Sequence, residues 1–169
     1  MARPRRLDGI SYTGQQAYFV TACTLDRRNV FVQDEFCEIC RDELFAQSNA
    51  FGFSTDAYVF MPDHVHWLCE AQDAAASLTR FVSRFKQRTG FAWAQRTGVK
   101  LWQKGYWERV LRMHDNPLSI ARYILENPVR AGLVRDARDY RYSGSQRYDL
   151  EHIMEAYQLD LKSGWHRHR

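Results

Sequence analysis

The chain has 169 residues, is 45% hydrophobic and 14% aromatic, and carries a formal net charge of +4. That size and apolar content suit one domain with a real core and exclude a disordered or low-complexity chain. No apolar run approaches the roughly 18 residues of a membrane span, and the basic start "MARPRR" leads into no apolar segment, so the expectation is no membrane, no secretory leader and a cytoplasmic protein.

Residues 1–16 read as an arm and turn region. "AYFVTACTL", 17–25, is rich in β-branched and aromatic residues and predicts a strand. From Asp34 to about Ser48, Phe36, Ile39, Cys40 and Leu44 recur at helical spacing. Cys37 and Cys40 form a C-x-x-C, half of a zinc site or a redox pair. Among four cysteines no second close pair exists, and Cys40 shares a helical face with Phe36 and Leu44, so free, mostly buried thiols are expected. "FGFSTDAYVFM" reads as a strand ending at the turn signal Pro62-Asp63, and "HVHWLCE" as its antiparallel hairpin partner.

A second helix is predicted from about Ala74 to Arg88, with the apolar stripe Leu78, Phe81, Val82 and Phe85 and a separate basic stripe, Arg80, Arg84 and Arg88. "VKLWQKGYWERVLR", 99–112, contains a further strand. Asp115-Asn116-Pro117 starts a third helix, which runs to about Asn127, where Pro128 discourages continuation. Beyond Asp136 come a turn at Ser143-Gly144-Ser145 and a short helical pattern over 149–159. Helices interleaved with an antiparallel sheet give an α+β two-layer domain. The first six elements match the β-α-β-β-α-β ferredoxin-like order.

In a strand, residues two apart share a face. His64, His66 and Leu68 therefore share one face of "HVHWLCE", and Val65, Trp67 and Cys69 the other, which reads as the core face under the helices. Imidazoles about 7 Å apart along a strand can converge on one ion at ~2.1 Å from each nitrogen. Taken alone, the pair is equally a metal site or two hydrogen-bonded packing residues. A metal site needs a third ligand and a chemical partner. On the third helix, Ile120 and Ile124 point inward, while Tyr123 and Asn127, also i and i+4, share an adjoining face. A phenol can be a covalent nucleophile, and an amide offers a neutral oxygen ligand.

"MPDHVHWL" followed by "YILENPVRAGLV" resembles the REP-associated tyrosine transposases, in the single-tyrosine, IS200-like branch of the HUH endonucleases. The "FVT" strand, "LWQKGYWERVLR" and "YRYSGS" are also similar to that family. The resemblance spans about residues 10–148 of a single domain, with a C-terminal extension over 149–169. It implies a ferredoxin-like antiparallel sheet with helices packed on one face. It also implies His64 and His66 as divalent-metal ligands, Asn127 completing the site and Tyr123 as nucleophile. One position departs: the family often has histidine where this chain has Arg109, which puts any auxiliary role of that residue in doubt.

The implied activity is metal-dependent cleavage and strand transfer of single-stranded DNA bearing a REP-like hairpin. It runs through a 5′-phosphotyrosine, with Mg²⁺ or Mn²⁺ as cofactor. Arg80, Arg84 and Arg88 are candidate DNA-backbone contacts, with Arg3, Arg5 and Arg6 as an N-terminal addition. The basic helix stripe equally suits a solvated face. Two other readings stand beside this one: a related nickase that does not mobilise DNA, and a non-catalytic ferredoxin-like nucleic-acid-binding module, which would need paired aromatics on the sheet. A monomer and a homodimer are both compatible with the sequence.

Overall fold

The computed structural model describes residues 16–155. Arg3, Arg5 and Arg6, and the end of the helical pattern expected over 149–159, lie outside the described residues.

The first six regular elements follow the expected order: β1 (Ala17–Cys23), α1 (Asp34–Ala50), β2 (Phe53–Met61), β3 (His64–Ala71), α2 (Leu78–Thr97) and β4 (Trp107–Val110). They form an antiparallel sheet in the order β4-β1-β3-β2, and a two-residue β5 (Ser143–Gly144) pairs on the outer edge of β2. The first four strands have the ferredoxin-like arrangement. β5 falls where the sequence suggested only a turn. Pro62-Asp63 makes the tight β2–β3 connection, setting Met61 opposite His64.

Alternation along β3 sorts its side chains as expected. Val65, Trp67 and Cys69 are fully buried against Phe81, Val82 and Phe85 of α2 and Phe36, Cys40 and Leu44 of α1. Burying each large apolar side chain stabilises the fold by about 1.5–3 kcal/mol. All four cysteines are free, and three are buried. The implied placing of helices on one face describes α1 and α2. The opposite face is covered by α3 (Pro117–Leu125) and α5 (Leu150–Glu155), whose Ile120, Ile124 and Ile153 pack on Phe19, Ala57, Val59 and Leu68.

α2 starts later and ends later than its stripe predicts. Before it, Asp73 accepts a hydrogen bond from the Ala75 amide (2.8 Å), which holds that segment in a local turn. Thr89 and Gly90 interrupt the stripe, yet both lie inside the helix. The Thr89 hydroxyl accepts a hydrogen bond from the Trp102 indole (2.9 Å), Gly90 lies against the same ring, and buried Trp93 resumes the stripe. Gly98, at φ +73, ends the helix in the left-handed conformation.

α3 begins as predicted. The Asn116 side-chain oxygen accepts from the Leu118 and Ser119 amides, and Pro117 occupies the first turn. It ends at Leu125 because Pro128 has no amide proton to offer the Ile124 carbonyl. Asn127 Nδ2 donates instead, to the Ile124 and Tyr123 carbonyls at 3.1 Å each. The single turn α4 (Asn127–Arg130) follows.

Candidate active site

His64 and His66 project from the face of β3 that α3 covers, and their Nε2 atoms converge to 3.0 Å. Each Nδ1 is held from behind. That of His64 lies 2.6 Å from an Asp63 oxygen, and that of His66 lies 2.7 Å from the Thr21 hydroxyl. Thr21 reaches His66 because β1 and β3 pair them directly. Asp63 is itself fixed by Arg27, whose Nε lies 2.7 Å from its second oxygen. Arg27 and the preceding Asp26 both adopt φ +55, a left-handed conformation costly for non-glycine residues. This turn directs the guanidinium at Asp63 and at the Cys23 sulfur (2.8 Å). Burial lowers the pKa of His64, against the raising effect of Asp63. Burial lowers that of His66 further, with His64, Arg130 and Arg27 adding to the effect. Both imidazoles are therefore neutral at pH 7, the form that binds metal.

The pair fits a divalent ion. Two nitrogens ~2.1 Å from one ion and at right angles to each other stand about 3.0 Å apart, against about 3.4 Å at the tetrahedral angle. The observed spacing is compatible with adjacent positions of an octahedron, and it is equally that of a hydrogen bond between two neutral imidazoles. A carboxylate or hydroxyl behind each ring is the usual support of a metal-binding histidine. Among the described residues no group of three or more His, Cys, Asp or Glu could hold a metal, so any third ligand drawn from these residues would be of another type.

α3 carries Tyr123 across this same face. Ile120 and Ile124 are buried as expected, and Tyr123 is half-buried beside them. One ring joins it to the histidines: Phe19 meets Tyr123 edge-on (centroids 6.4 Å apart) and meets His66 at 5.4 Å. Arg130 lies over the Tyr123 ring, 4.0 Å from its centre, donates to the Tyr123 carbonyl and pairs with Glu126 at 3.6 Å. Asn127 follows one turn after Tyr123, its Nδ2 committed to the helix carbonyls.

The structure thus places Tyr123 and His66, with His64 beside it, against one Phe19 ring. It does not bring Arg80, Arg84 and Arg88 to them. These three are exposed on α2, on the opposite side of the sheet, where Arg80 covers Phe51, Arg84 bonds Gln87 and Arg88 pairs with Glu43. Arg109, the departing position, bonds the fully buried carboxylate of Asp115 at 2.8 Å and ties β4 to the approach to α3. Sequence reasoning missed Thr21, Phe19, Asp63 and Arg130. Asp63 and Arg130 lie inside the motifs already singled out, whereas Thr21 and Phe19 gain their place only from the β1–β3 register.

The chain as a whole is similar to known proteins. A putative REP-associated tyrosine transposase of Haemophilus influenzae is 25% identical over 147 residues, covering 80% of this chain and 83% of its own. A REP-associated tyrosine transposase of Escherichia coli K12 is 28% identical over 130 residues, covering 75% and 74%. A solved REP-associated tyrosine transposase bound to a REP hairpin has the same fold (TM-score 0.69, 22% identity, 85% of this chain and 82% of that one). So does a putative transposase from Deinococcus radiodurans (TM-score 0.51, 24% identity, 66% and 88%). Residues 13–127 match the family described as IS200-like transposases, and the chain belongs to that family.

Proposed function

We propose that this chain is a metal-dependent single-stranded DNA endonuclease and strand transferase that acts on hairpin-bearing DNA through a 5′-phosphotyrosine at Tyr123. One observation carries the reading: a single ring, Phe19, packs against both the ring of Tyr123 and His66, whose Nε2 lies 3.0 Å from that of His64. The relatives named REP-associated tyrosine transposases, one of them bound to a REP hairpin, support the choice of substrate.

The Tyr123 oxygen attacks the scissile phosphorus. A tyrosyl O–P bond forms, the bond to the 3′ oxygen breaks, and the phenolic proton is replaced on that oxygen through solvent, leaving a free 3′-OH. A 3′-OH can later reverse the step and join strands. Arg130, over the phenol ring, orients it and offsets negative charge arising on its oxygen. His64 and His66 would hold the metal through Nε2. Asn127 would complete the site through Oδ1, the amide's one ligating atom, while its Nδ2 stays on the helix. Mg²⁺ or Mn²⁺ bound there supplies polarisation of the phosphate and charge stabilisation in the displacement. Arg80, Arg84 and Arg88 are left for backbone contacts remote from the scissile phosphate.

The rival reading, a non-catalytic module that binds nucleic acid on an open sheet, is opposed by burial. Phe19 is 6% exposed and Leu68 is fully buried beneath α3. The test is to incubate the protein with labelled single-stranded DNA carrying a REP-like hairpin and Mn²⁺ or Mg²⁺. A covalent protein–DNA adduct and nicking are expected, and both disappear in Tyr123→Phe and in His64→Ala. Undiminished cleavage by Tyr123→Phe would overturn the nucleophile assignment.

A further inference from the structure

Trp107 is a large aromatic side chain left open beside the candidate site. It is 37% exposed, on β4, the outer strand of the sheet. The pairing of β4 with β1 sets it opposite Thr21, and the pairing of β1 with β3 sets Thr21 opposite His66. Trp107, Thr21 and His66 therefore form one row on the same face, and two strand spacings put Trp107 about 10 Å from the histidine backbone. The indole stands edge-to-face on Phe19, with centroids 5.4 Å apart and planes at 79°. Phe19 is the ring that also touches His66 and Tyr123, so the exposed indole is one ring removed from both. Cations flank the row: the side chains of Arg27 and Arg130 are 47% and 37% exposed, beside His64 and Tyr123 respectively.

We propose that Trp107 is the platform on which a nucleobase flanking the scissile phosphate stacks. This rests on Tyr123 and the histidine pair being the cleavage site. In an edge-to-face contact with Phe19 the indole keeps at least one face for a base, and such stacking accepts any base because each has a π-face. A phosphate seated beside the phenol of Tyr123 leaves its neighbouring base within reach of β4. Stacking there would unstack the strand at the point of attack and set the phosphate against the phenol. Trp107 is on this view a positioning residue that grips the strand.

The test uses the full-length protein and a single strand with a stable hairpin and thymidine tails, one tail nucleotide at a time made abasic. Binding is read by fluorescence anisotropy without divalent metal, so no turnover enters. In the wild type, one abasic position weakens binding about 5- to 100-fold. In Trp107→Leu, which keeps an apolar cover on Phe19 without a π-face, the intact strand binds as weakly as that abasic strand does to the wild type, and the abasic change costs under about twofold. Trp107→Tyr retains most of the penalty. An equal abasic penalty in wild type and Trp107→Leu, or no sensitive position in the wild type, overturns the proposal. Because binding is measured without cleavage, this result is separate from the adduct test of Tyr123.

Discussion

The two faces of the sheet are built for different work, although β3 serves both. Toward α1 and α2, Trp67, Phe81, Phe85, Phe36, Phe60 and Tyr18 are buried in one aromatic cluster, with Trp67 edge-on to Phe85 at 5.5 Å. Toward α3 the cluster is smaller and gives way along the strands to the Thr21–His66 pair, His64 and half-buried Tyr123. Alternate residues of one strand thus anchor the core and present two imidazoles. Packing on the first face makes the second rigid enough to hold two nitrogens 3.0 Å apart.

Substitutions on the two faces should separate chemistry from stability. The largest effect is expected of Tyr123→Phe: loss of covalent adduct on the order of 10⁴-fold or more, with an unchanged melting temperature, read by gel assay and thermal unfolding. Trp67→Ala, on the opposite face, should do the reverse. It should destabilise by about 3–5 kcal/mol in urea unfolding, and the protein that remains folded should still form adduct. If Trp67→Ala left stability intact, the division between faces would fail.

Thr21→Val removes the hydroxyl behind His66 with little change of shape and should weaken Mn²⁺ binding about 10- to 100-fold by titration calorimetry, leaving folding nearly untouched. Acidification probes the same pair. Burial lowers both histidine pKa values below the ordinary 6.5, so the unfolded chain takes up protons first as pH falls. The stability they contribute is present above about pH 6.5. It is lost as pH falls through the lowered values, and metal affinity declines in the same direction. Unfolding measured from pH 7.5 downward should show this loss, and His66→Gln should flatten it. The smallest change is expected of Arg130→Ala: a two- to fivefold fall in the rate of adduct formation, about 0.5–1 kcal/mol, with a normal rate of metal-free DNA binding.

Features set by neighbouring residues were legible. Pro62-Asp63 marks the hairpin, Asn116-Pro117 starts α3, and the alternation of "HVHWLCE" separates the histidines from Trp67. The ends of α2 were not legible, because Trp102, beyond the helix, supplies the contacts that carry it through Thr89 and Gly90. Asn127 was legible as a neighbour of Tyr123, but its service to the carbonyls left by Pro128 appears only once the helix end is seen. Arg109, read as a departure from a family pattern, is the partner of the buried Asp115 six residues on.

By itself the sequence determined the element order, the side of β3 that carries the histidines, and the helix that carries Tyr123, because strand and helix periods are local properties of the chain. Only the tertiary structure decided that α3 crosses the histidine face, that Thr21 stands behind His66, and that Phe19 joins Tyr123, His66 and exposed Trp107. These depend on strand register and on helix packing between segments far apart in sequence. No local pattern encodes them, since a slip of one residue would turn every side chain of the strand to the other face.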